Sequence, residues 1–455
     1  MIFTTREASP IPSRQSNIRA LTGGHETALL CLFTVLLFGV HNSVTVGALK
    51  GYGSLAQLLA TVLLAYWFLS WLCARDGDPG FGRRPFVSAM LAAVGWVVFA
   101  FLAAYTRELG TIERSGTFRA LAHYLAFIGA ALFFSVLATR NGGRVALAKA
   151  LVFGACFSAL VGAGQFYADF DYARIVAHVP GLRIADTAEL TSRFVVRAQG
   201  TSTHAIEFAV VSASLVPLAA HYWRFATGRG RAALWAGATG LLSFASLIAI
   251  SRSGVVALTL AVGIYSLRFN WSERVTTVFL AGGFVGAMQV LAHGVLSTLR
   301  YFLLNTEDDA SVAGRTDDYG AVSPLFWARP WLGYGLGTFR PELYRILDNQ
   351  YLGMLLTGGI IGFVLLLTLI LFVLGSAVSN VRFQARTARI EEADLTYAAL
   401  SGFTAMAVSA AFFDLLSFKQ ATAVFLLLSV LCVVREVRNA DDPTLPSARI
   451  RWARP

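Results

Sequence analysis

Residues 350–376 read QYLGMLLTGGIIGFVLLLTLILFVLGS and contain no charged side chain. A helix of about 20 apolar residues crosses the hydrocarbon core of a membrane, and this stretch is long enough to do so. Further apolar runs of similar length precede and follow it. The predicted membrane spans are 27–47, 54–73, 86–106, 118–138, 145–167, 204–223, 232–250, 253–268, 274–297, 350–376, 396–416 and 419–434. The sequence therefore predicts an all-α polytopic membrane protein with about twelve transmembrane helices.

The composition excludes the main alternatives to a membrane protein. Of 455 residues, 56% are hydrophobic and 14% are charged, whereas a soluble globular chain carries about 25% charged residues. The mean hydropathy of +0.62 also excludes a disordered chain, which requires low hydrophobicity. The first 25 residues are polar, and the first apolar run lacks a cleavage site of small residues. We therefore predict no signal peptide.

The distribution of basic residues predicts the orientation of the chain. With the N-terminus in the cytoplasm, 22 of the 37 Lys and Arg residues fall in cytoplasmic segments, as the positive-inside rule requires. Cytoplasmic tails then occupy 1–26 and 435–455, on either side of a transmembrane domain at 27–434. Two long loops, 168–203 and 298–349, lie outside, and the first of them is expected to form short helices at 172–178 and 187–197. Loops of this length usually carry function.

The basic residues are almost all arginine, and the chain has only three lysines. Arginine grips phosphate groups with two parallel hydrogen bonds. The arginines are scattered among membrane spans, so we predict no binding of nucleic acid. The four cysteines lie apart in apolar runs, and the histidines form no ligand pair. For the acidic tract 307–309 we favour a solvated loop over a cation site, and we predict neither a metal nor a cofactor.

The segment before the apolar run is the most distinctive part of the chain. Residues 327–349 read WARPWLGYGLGTFRPELYRILDN and lead into Gly358-Gly359 and Gly362. Glycine permits positive φ angles and a close approach of two backbones. We expect the Gly-rich turn to fold this loop over the outer mouth of the next span. The alternative is a loop that aromatic residues anchor at the level of the lipid headgroups.

This order of residues resembles the C-terminal signature of the O-antigen ligase and O-antigen polymerase superfamily. Its members are multi-span enzymes that move glycans between lipid carriers on the periplasmic face. The resemblance covers about 197–362. The segments that carry it are Arg197–Thr201 with His204, Ser251–Gly254, Gly314-Arg315, Pro330–Phe339, Asp348–Leu352 and Gly359–Gly362.

The resemblance implies a GT-C-like glycosyltransferase of the bacterial inner membrane. Its donor would be a glycan linked to polyprenyl pyrophosphate, and its acceptor another glycan or a lipid A-core sugar. Membrane lipids and a chain-length regulator are the further partners that it implies. Ligases carry His where this chain has Asp348, which favours a polymerase of exopolysaccharide or O-antigen over a ligase. A secondary transporter with twelve spans is the more distant alternative.

The resemblance and the chemistry together nominate the site residues. The departing pyrophosphate gains negative charge, which arginines stabilise as fixed donors. We predict Arg197, Arg315 and Asp348 as catalytic, with Asp348 either a general base or a group that orients Arg315 or a sugar hydroxyl. The substrate-binding candidates are Arg252, His204, Glu207, Asn349, Tyr351, Tyr334, Gly335 and Gly337. We assign Arg340 and Arg345 to solvated or headgroup contacts, and we expect Asp414 to pair with Lys419.

The orientation generates a labelling prediction. Single cysteines that replace Glu189 and Asp309 should react with an impermeant maleimide in intact spheroplasts, because both positions lie in the predicted outer loops. A cysteine that replaces Arg386 should stay unlabelled until the membrane is permeabilised. The opposite pattern would overturn the orientation and, with it, a periplasmic activity.

Overall fold

The computed structural model describes residues 14–49, 53–73, 85–184, 197–292, 294–304 and 320–436. The helices are α1 (Arg14–Thr34), α2 (Leu55–Leu72), α3 (Pro85–Ala104), α4 (Thr111–Leu137), α5 (Gly143–Ala168), α6 (Tyr172–Ala177), α7 (Ala205–Arg224), α8 (Arg229–Ile248), α9 (Arg252–Ser266), α10 (Trp271–Leu291), α11 (Val295–Leu304), α12 (320–328), α13 (Gln350–Arg386), α14 (Ile390–Ser409) and α15 (Lys419–Val433). Two short strands, β1 (Val44–Val46) and β2 (Leu182–Ile184), pair in antiparallel orientation.

Each predicted apolar run coincides with a helix. In the described part of the chain, eight helices are long and apolar enough to cross a membrane, which confirms a helical, multi-pass membrane protein. The count of twelve spans and the GT-C-like arrangement stay predictions. Three helices stop well before the end of the predicted run. These ends are at Gly39, where a π-helical turn (Val35–Gly39) that continues α1 stops, at Leu291 and at Ser409. His41 and Asp414 therefore lie in connecting turns, outside the helices.

Helix α7 lies at the centre of the bundle and contacts α5, α8, α9, α14 and α15. In the most apolar stretch of α7, 89% of the residues are buried inside the bundle. Small residues allow this close packing. A Cβ atom on Gly254 of α9 would stand 2.6 Å from Cβ of Ala209, and one on Gly402 of α14 would stand 2.1 Å from the carbonyl oxygen of Ser214. Such contacts are typical of helix pairs in membranes, where small side chains let backbones approach.

A buried carboxylate ties the helices together at the cytoplasmic end of the predicted topology. Asp394 of α14 is 1% exposed. It accepts hydrogen bonds from Nδ1 of His221 at 2.8 Å, from the hydroxyl of Tyr265 at 2.6 Å and from Nη1 of Arg224 at 2.8 Å. The same arginine also pairs with Glu273 of α10. This network joins α7, α9, α10 and α14 at the end of the bundle opposite to the start of α7.

The loops at the other end of the bundle are fastened to one another. The β1–β2 ribbon joins the α1–α2 connection to the first long loop. The hydroxyl of Tyr172 donates to the carbonyl oxygen of Gly39 at 2.5 Å. The short helix predicted from Tyr172 is thus present as α6, whereas the second one predicted in this loop, at 187–197, falls almost wholly outside the described residues.

Helix α13 is broken at Gly359, whose φ of 61° and ψ of −164° are not helical. The break separates the carbonyls of Leu356 and Thr357 from the N–H groups of Ile360 and Ile361, which would be their partners in a continuous helix. Gly359 lies nine residues into the helix, or about 14 Å at 1.5 Å per residue. Backbone groups at such a depth need other partners, because lipid supplies none.

The Gly-rich stretch enters this break and bonds to all four backbone groups. The N–H groups of Tyr334 and Gly335 donate to the two free carbonyls at 2.8 and 3.0 Å. The carbonyls of Pro330 and Trp331 accept from the two isoleucine N–H groups at 2.8 and 3.3 Å. We call residues 330–335 the insert. The turn predicted to fold over the mouth of the span is therefore built into the span itself.

Gly359 and two glycines of the insert make this close approach possible. Gly333 and Gly335 have φ angles of 65° and 95°, which favour glycine. A Cβ atom on Gly333 would stand 2.4 Å from the carbonyl oxygen of Leu356, and one on Gly335 would stand 2.4 Å from Cα of Ala104. The insert thus packs between α13 and the end of α3, and it connects these two helices.

The break predicts a specific effect of one methyl group. In Gly359→Ala the new Cβ would stand 2.3 Å from the carbonyl group of Trp331, at a positive φ angle. We expect a loss of at least about 1–3 kcal/mol of stability, measured as a lower unfolding temperature of the protein in detergent. Gly375→Ala is the matched control, because it lies in the same helix with nothing within 4 Å. Equal unfolding temperatures for both variants would contradict the role of the insert.

Candidate functional site

A cavity of about 1620 Å³ lies between α3, α4, α13 and α15 and opens among the loops at the N-terminal end of α7. Its outer part, which we call the polar chamber, is lined by Arg119, Arg174, Arg197, Arg340, Arg345, Lys419, Asp169, Asp171, Glu342, Asp348 and Asp414, together with histidine and glutamine side chains. Its inner part, the apolar groove, is lined by Met90, Ala93, Trp96, Val97, Leu366, Leu369, Ile370, Val373, Phe425 and Leu426. One cavity thus joins a charged compartment to an apolar one.

Arg197 is fixed at the wall of the polar chamber by the junction between α8 and α9. Its Nε donates to the carbonyl oxygen of Ala249 at 3.2 Å, and its Nη2 donates to that of Ile250 at 2.9 Å. Ile250 has a φ angle of 47°, an uncommon conformation for a β-branched residue. The junction therefore holds the arginine through two backbone carbonyls and sets its position in the chamber.

The backbone that follows Arg197 is clamped to α5. Oε1 of Gln165 accepts from the N–H groups of Gln199 and Gly200 at 3.0 and 2.7 Å, and its Nε2 donates to the carbonyl oxygen of Gly200 at 2.8 Å. Further along, His204 is the N-cap of α7, and its Nδ1 accepts from the N–H of Ile206 at 3.2 Å. The exposed His204 ring lines the polar chamber.

Arg340 and Arg345, expected to make solvated or headgroup contacts, lie in the wall of the polar chamber. The reason is a close contact between α4 and the segment that follows the insert. A Cβ atom on Gly116 would stand 2.4 Å from the carbonyl oxygen of Gly337 and 2.9 Å from Cδ of Arg340. This contact draws the arginine inward, where its Nη2 bonds to Glu342 at 2.9 Å.

The four residues 348–351 serve two different roles. Asp348 is exposed and lines the polar chamber. Asn349 is the N-cap of α13, and its Oδ1 accepts from the N–H groups of Tyr351 and Leu352 at 2.9 and 3.1 Å. The hydroxyl of Tyr351 donates to the carbonyl oxygen of Ala407 at 2.6 Å. Asn349 and Tyr351, predicted to bind substrate, hold the start of the helix, and neither lines the cavity.

Glu207 is a second correction. Its side chain is fully buried and does not line the cavity. One carboxylate oxygen accepts from the N–H of Thr203 at 2.9 Å, and the other accepts from the N–H groups of Gln420 and Ala421 at 2.8 and 3.2 Å. It therefore caps the start of α15, where a negative charge is favoured, instead of sharing a groove with His204.

Three more predicted binding residues lie outside the cavity lining. Tyr334 stands between two arginines, with its ring centroid 5.6 Å from the guanidinium carbons of Arg107 and Arg329. The backbone N–H of Gly335 forms one of the hydrogen bonds between the insert and α13. Arg252 is the first residue of α9 and is half-buried. Of the predicted glycines, Gly337 lines the polar chamber.

Some predicted features fall outside the described residues. These are Arg315 and the acidic tract 307–309 with Asp317 and Asp318. Their roles stay predictions. Within the described ranges, no group of three His, Cys, Asp or Glu side chains is placed to hold a metal ion.

The polar chamber also contains charged residues that the sequence did not nominate. Arg119 comes from α4, and Asp414 comes from the turn between α14 and α15. The expected pair of Asp414 with Lys419 is not what the structure shows. Nζ of Lys419 donates to the carbonyl oxygen of Asn42 at 3.0 Å, and Asp414 accepts from the hydroxyl of Ser417. The signal that could have found them is their place within the predicted spans 118–138 and 396–416, because an ionisable side chain inside a span indicates a functional site by default.

A bundle of apolar helices around a cavity with a charged and an apolar part is the architecture of a polytopic membrane protein. Residues 237–367 match the family model described as O-antigen ligase. No curated protein matches the chain significantly. The match confirms the resemblance to the O-antigen ligase and polymerase superfamily and supports an enzyme of glycosyl-transfer type. The matched segment includes the insert and Asp348, whereas Arg119, Arg197 and Asp414 lie outside it.

Proposed function

We propose that this protein transfers a glycan from polyprenyl pyrophosphate to an acceptor glycan on the periplasmic face of the bacterial inner membrane, as a polymerase of exopolysaccharide or O-antigen. The observation that carries the proposal is the continuity of the polar chamber with the apolar groove. A lipid-linked glycan has this same division, with a charged pyrophosphate and sugars at one end and a long apolar chain at the other.

The dimensions of the cavity suit a polyprenyl-linked glycan. The lining of the whole cavity on α13 extends from Gln350 at the polar chamber to Val373 in the apolar groove, which corresponds to about 35 Å at 1.5 Å per residue. The hydrocarbon core of a bilayer is about 30 Å thick. On α3, Met90, Ala93 and Val97 lie on one face, at the spacing of helical turns, and line the same groove. A lipid tail held there would place its pyrophosphate in the polar chamber.

The arginines of the chamber supply the chemistry of the leaving group. When the sugar departs, the bridging oxygen of the pyrophosphate gains negative charge. Donors that are already in place stabilise such charge without further reorganisation. Arg197 is held in this way by two carbonyls, and Arg119, Arg340 and Arg345 complete a cationic wall. We infer that these residues act with Arg315 on the pyrophosphate, and that no nucleotide or metal is needed.

The acceptor side of the reaction favours a polymerase. Asp348 stands where the superfamily ligases carry an imidazole, and it lines the chamber as a carboxylate. It either takes the proton of the acceptor hydroxyl or holds a neighbouring sugar hydroxyl. The acceptor of a polymerase is a second lipid-linked glycan, whereas a ligase would use a lipid A-core sugar. A chain-length regulator is the partner expected of a polymerase.

The proposal predicts that Arg197→Ala removes transfer while the protein still folds. A hydrogen bond to a charged group contributes about 1.5–3 kcal/mol, so we expect a loss of about 10–100-fold in rate. Arg197→Lys should recover little, because an ammonium cannot bond in two parallel directions. The measurement is transfer from a purified polyprenyl-pyrophosphate glycan in detergent, with EDTA present and no nucleotide.

The matched control is Arg114→Ala, one turn and a half before Arg119 on α4. Arg114 is exposed and does not line the cavity, so its removal should leave the rate unchanged. Wild-type transfer by Arg197→Ala would remove that residue from the site. A need for nucleotide, or loss of wild-type transfer in EDTA, would contradict the leaving-group chemistry.

A further inference from the structure

The segment that carries Asp348 is fastened to the turn that carries Asp414. The N–H of Gln350 donates to the carbonyl oxygen of Ala410 at 2.9 Å, and its Oε1 accepts from the N–H of Leu416 at 2.7 Å. These bonds bracket Asp414 on both sides in sequence, and Asp348 precedes Gln350 by two residues. Both carboxylates line the same chamber. Two segments far apart in sequence thus bring two carboxylates to one place.

Asp414 differs from Asp348 in its surroundings. Asp348 is exposed, whereas Asp414 is half-buried. Burial, together with the negative charge of Asp348, raises the pKa of Asp414 to about 6, although the hydroxyl of Ser417 acts in the opposite direction. A carboxylate in water has a pKa near 4 and is a weak base at neutral pH. General bases work best when their pKa lies near the operating pH.

Other titratable groups face this turn from the neighbouring helices. Lys419 of α15 donates to the carbonyl oxygen of Asn42 at 3.0 Å. From α4, Nε2 of His123 lies 3.0 Å from a carbonyl oxygen of the turn. Tyr124, on the same helix, interacts electrostatically with Asp414. At the start of α7, the ring of His204 stands 6.0 Å from an aromatic ring of the turn. The lysine is bonded to a backbone carbonyl, and Asp348 is the charged neighbour that acts on Asp414.

We propose that Asp414 is the general base of the transfer and that Asp348 is a positioning residue that acts through it. This inference rests on the proposed function. In the reaction, the acceptor oxygen forms a bond to the anomeric carbon of the donor sugar while the bond from that carbon to the pyrophosphate oxygen breaks. The hydroxyl proton passes to the carboxylate of Asp414, and the bonding electrons leave with the pyrophosphate, where arginines stabilise the charge.

The assignment predicts a characteristic dependence of the rate on pH. Asp414 must be ionised to act, so wild-type transfer should fall as the pH decreases through about 6. In Asp348→Asn, the negative charge that raises the pKa of Asp414 is gone, so the midpoint should move to lower pH while substantial transfer remains at pH 7. In Asp414→Asn, transfer at pH 7 should fall by about 10²–10⁴-fold. The rate that remains should no longer decrease as the pH falls through about 6.

The experiment compares these rates for purified full-length variants with the same lipid-linked donor and acceptor. Asp414→Glu keeps a carboxylate and should recover part of the rate, which separates loss of the base from a folding defect. Glu108→Gln removes an exposed carboxylate outside the cavity and should match wild type. Unfolding temperatures in detergent check that each variant is folded.

The outcomes separate the inference from the proposed function. If wild-type protein transfers glycan and Asp414→Asn does so within a few-fold, the inference is overturned and the proposed function stands. An acid midpoint near pH 6 that stays unchanged in Asp348→Asn would also overturn it. If wild-type protein transfers no glycan from polyprenyl pyrophosphate to any acceptor glycan, the proposed function itself fails.

Discussion

The break in α13 at Gly359 is the constraint on which the rest of the site depends. An unsatisfied backbone group away from water costs several kcal/mol, and the break creates four of them within the membrane. Residues 330–335 satisfy all four through hydrogen bonds of 2.8–3.3 Å. Because the chain continues from there to Arg340 and Asp348, the insert determines where these side chains meet the cavity. The same insert packs against α3, so it also sets one wall of the apolar groove.

Polar side chains near the outer ends of the helices serve two different purposes. The side chains of Glu207, Asn349 and Gln165 accept hydrogen bonds from backbone N–H groups, and in this way they fix helix ends and loops in place. Arg197 and Asp348 line the chamber, where a substrate would meet them. This division explains why a conspicuous polar residue in an apolar sequence is a weak guide to function. Its partner decides the role, and the partner is found in the fold.

The candidate site was only partly predictable for this reason. Arg197, His204, Gly337 and Asp348, which the sequence nominated, line the polar chamber, and their roles stay predictions. Glu207, Tyr351 and Gly335 were nominated on the same grounds, but they support helices. Arg119 was not nominated, and Asp414 was expected only to pair with Lys419, because neither residue belongs to a motif. Both reach the chamber through contacts with segments more than 50 residues away in sequence.

By itself, the sequence determined the helical, membrane-spanning class, the approximate helix positions and the resemblance to a family. These follow from the local density of apolar residues and from a contiguous motif, and each can be read without knowledge of packing. Tertiary structure decided that the Gly-rich turn enters α13, that Arg340 faces inward, and that Asp348 and Asp414 share one chamber. These outcomes depend on contacts such as that of Gly116 with Gly337. Side-chain volumes and backbone hydrogen bonds settle such contacts only when the whole bundle is assembled.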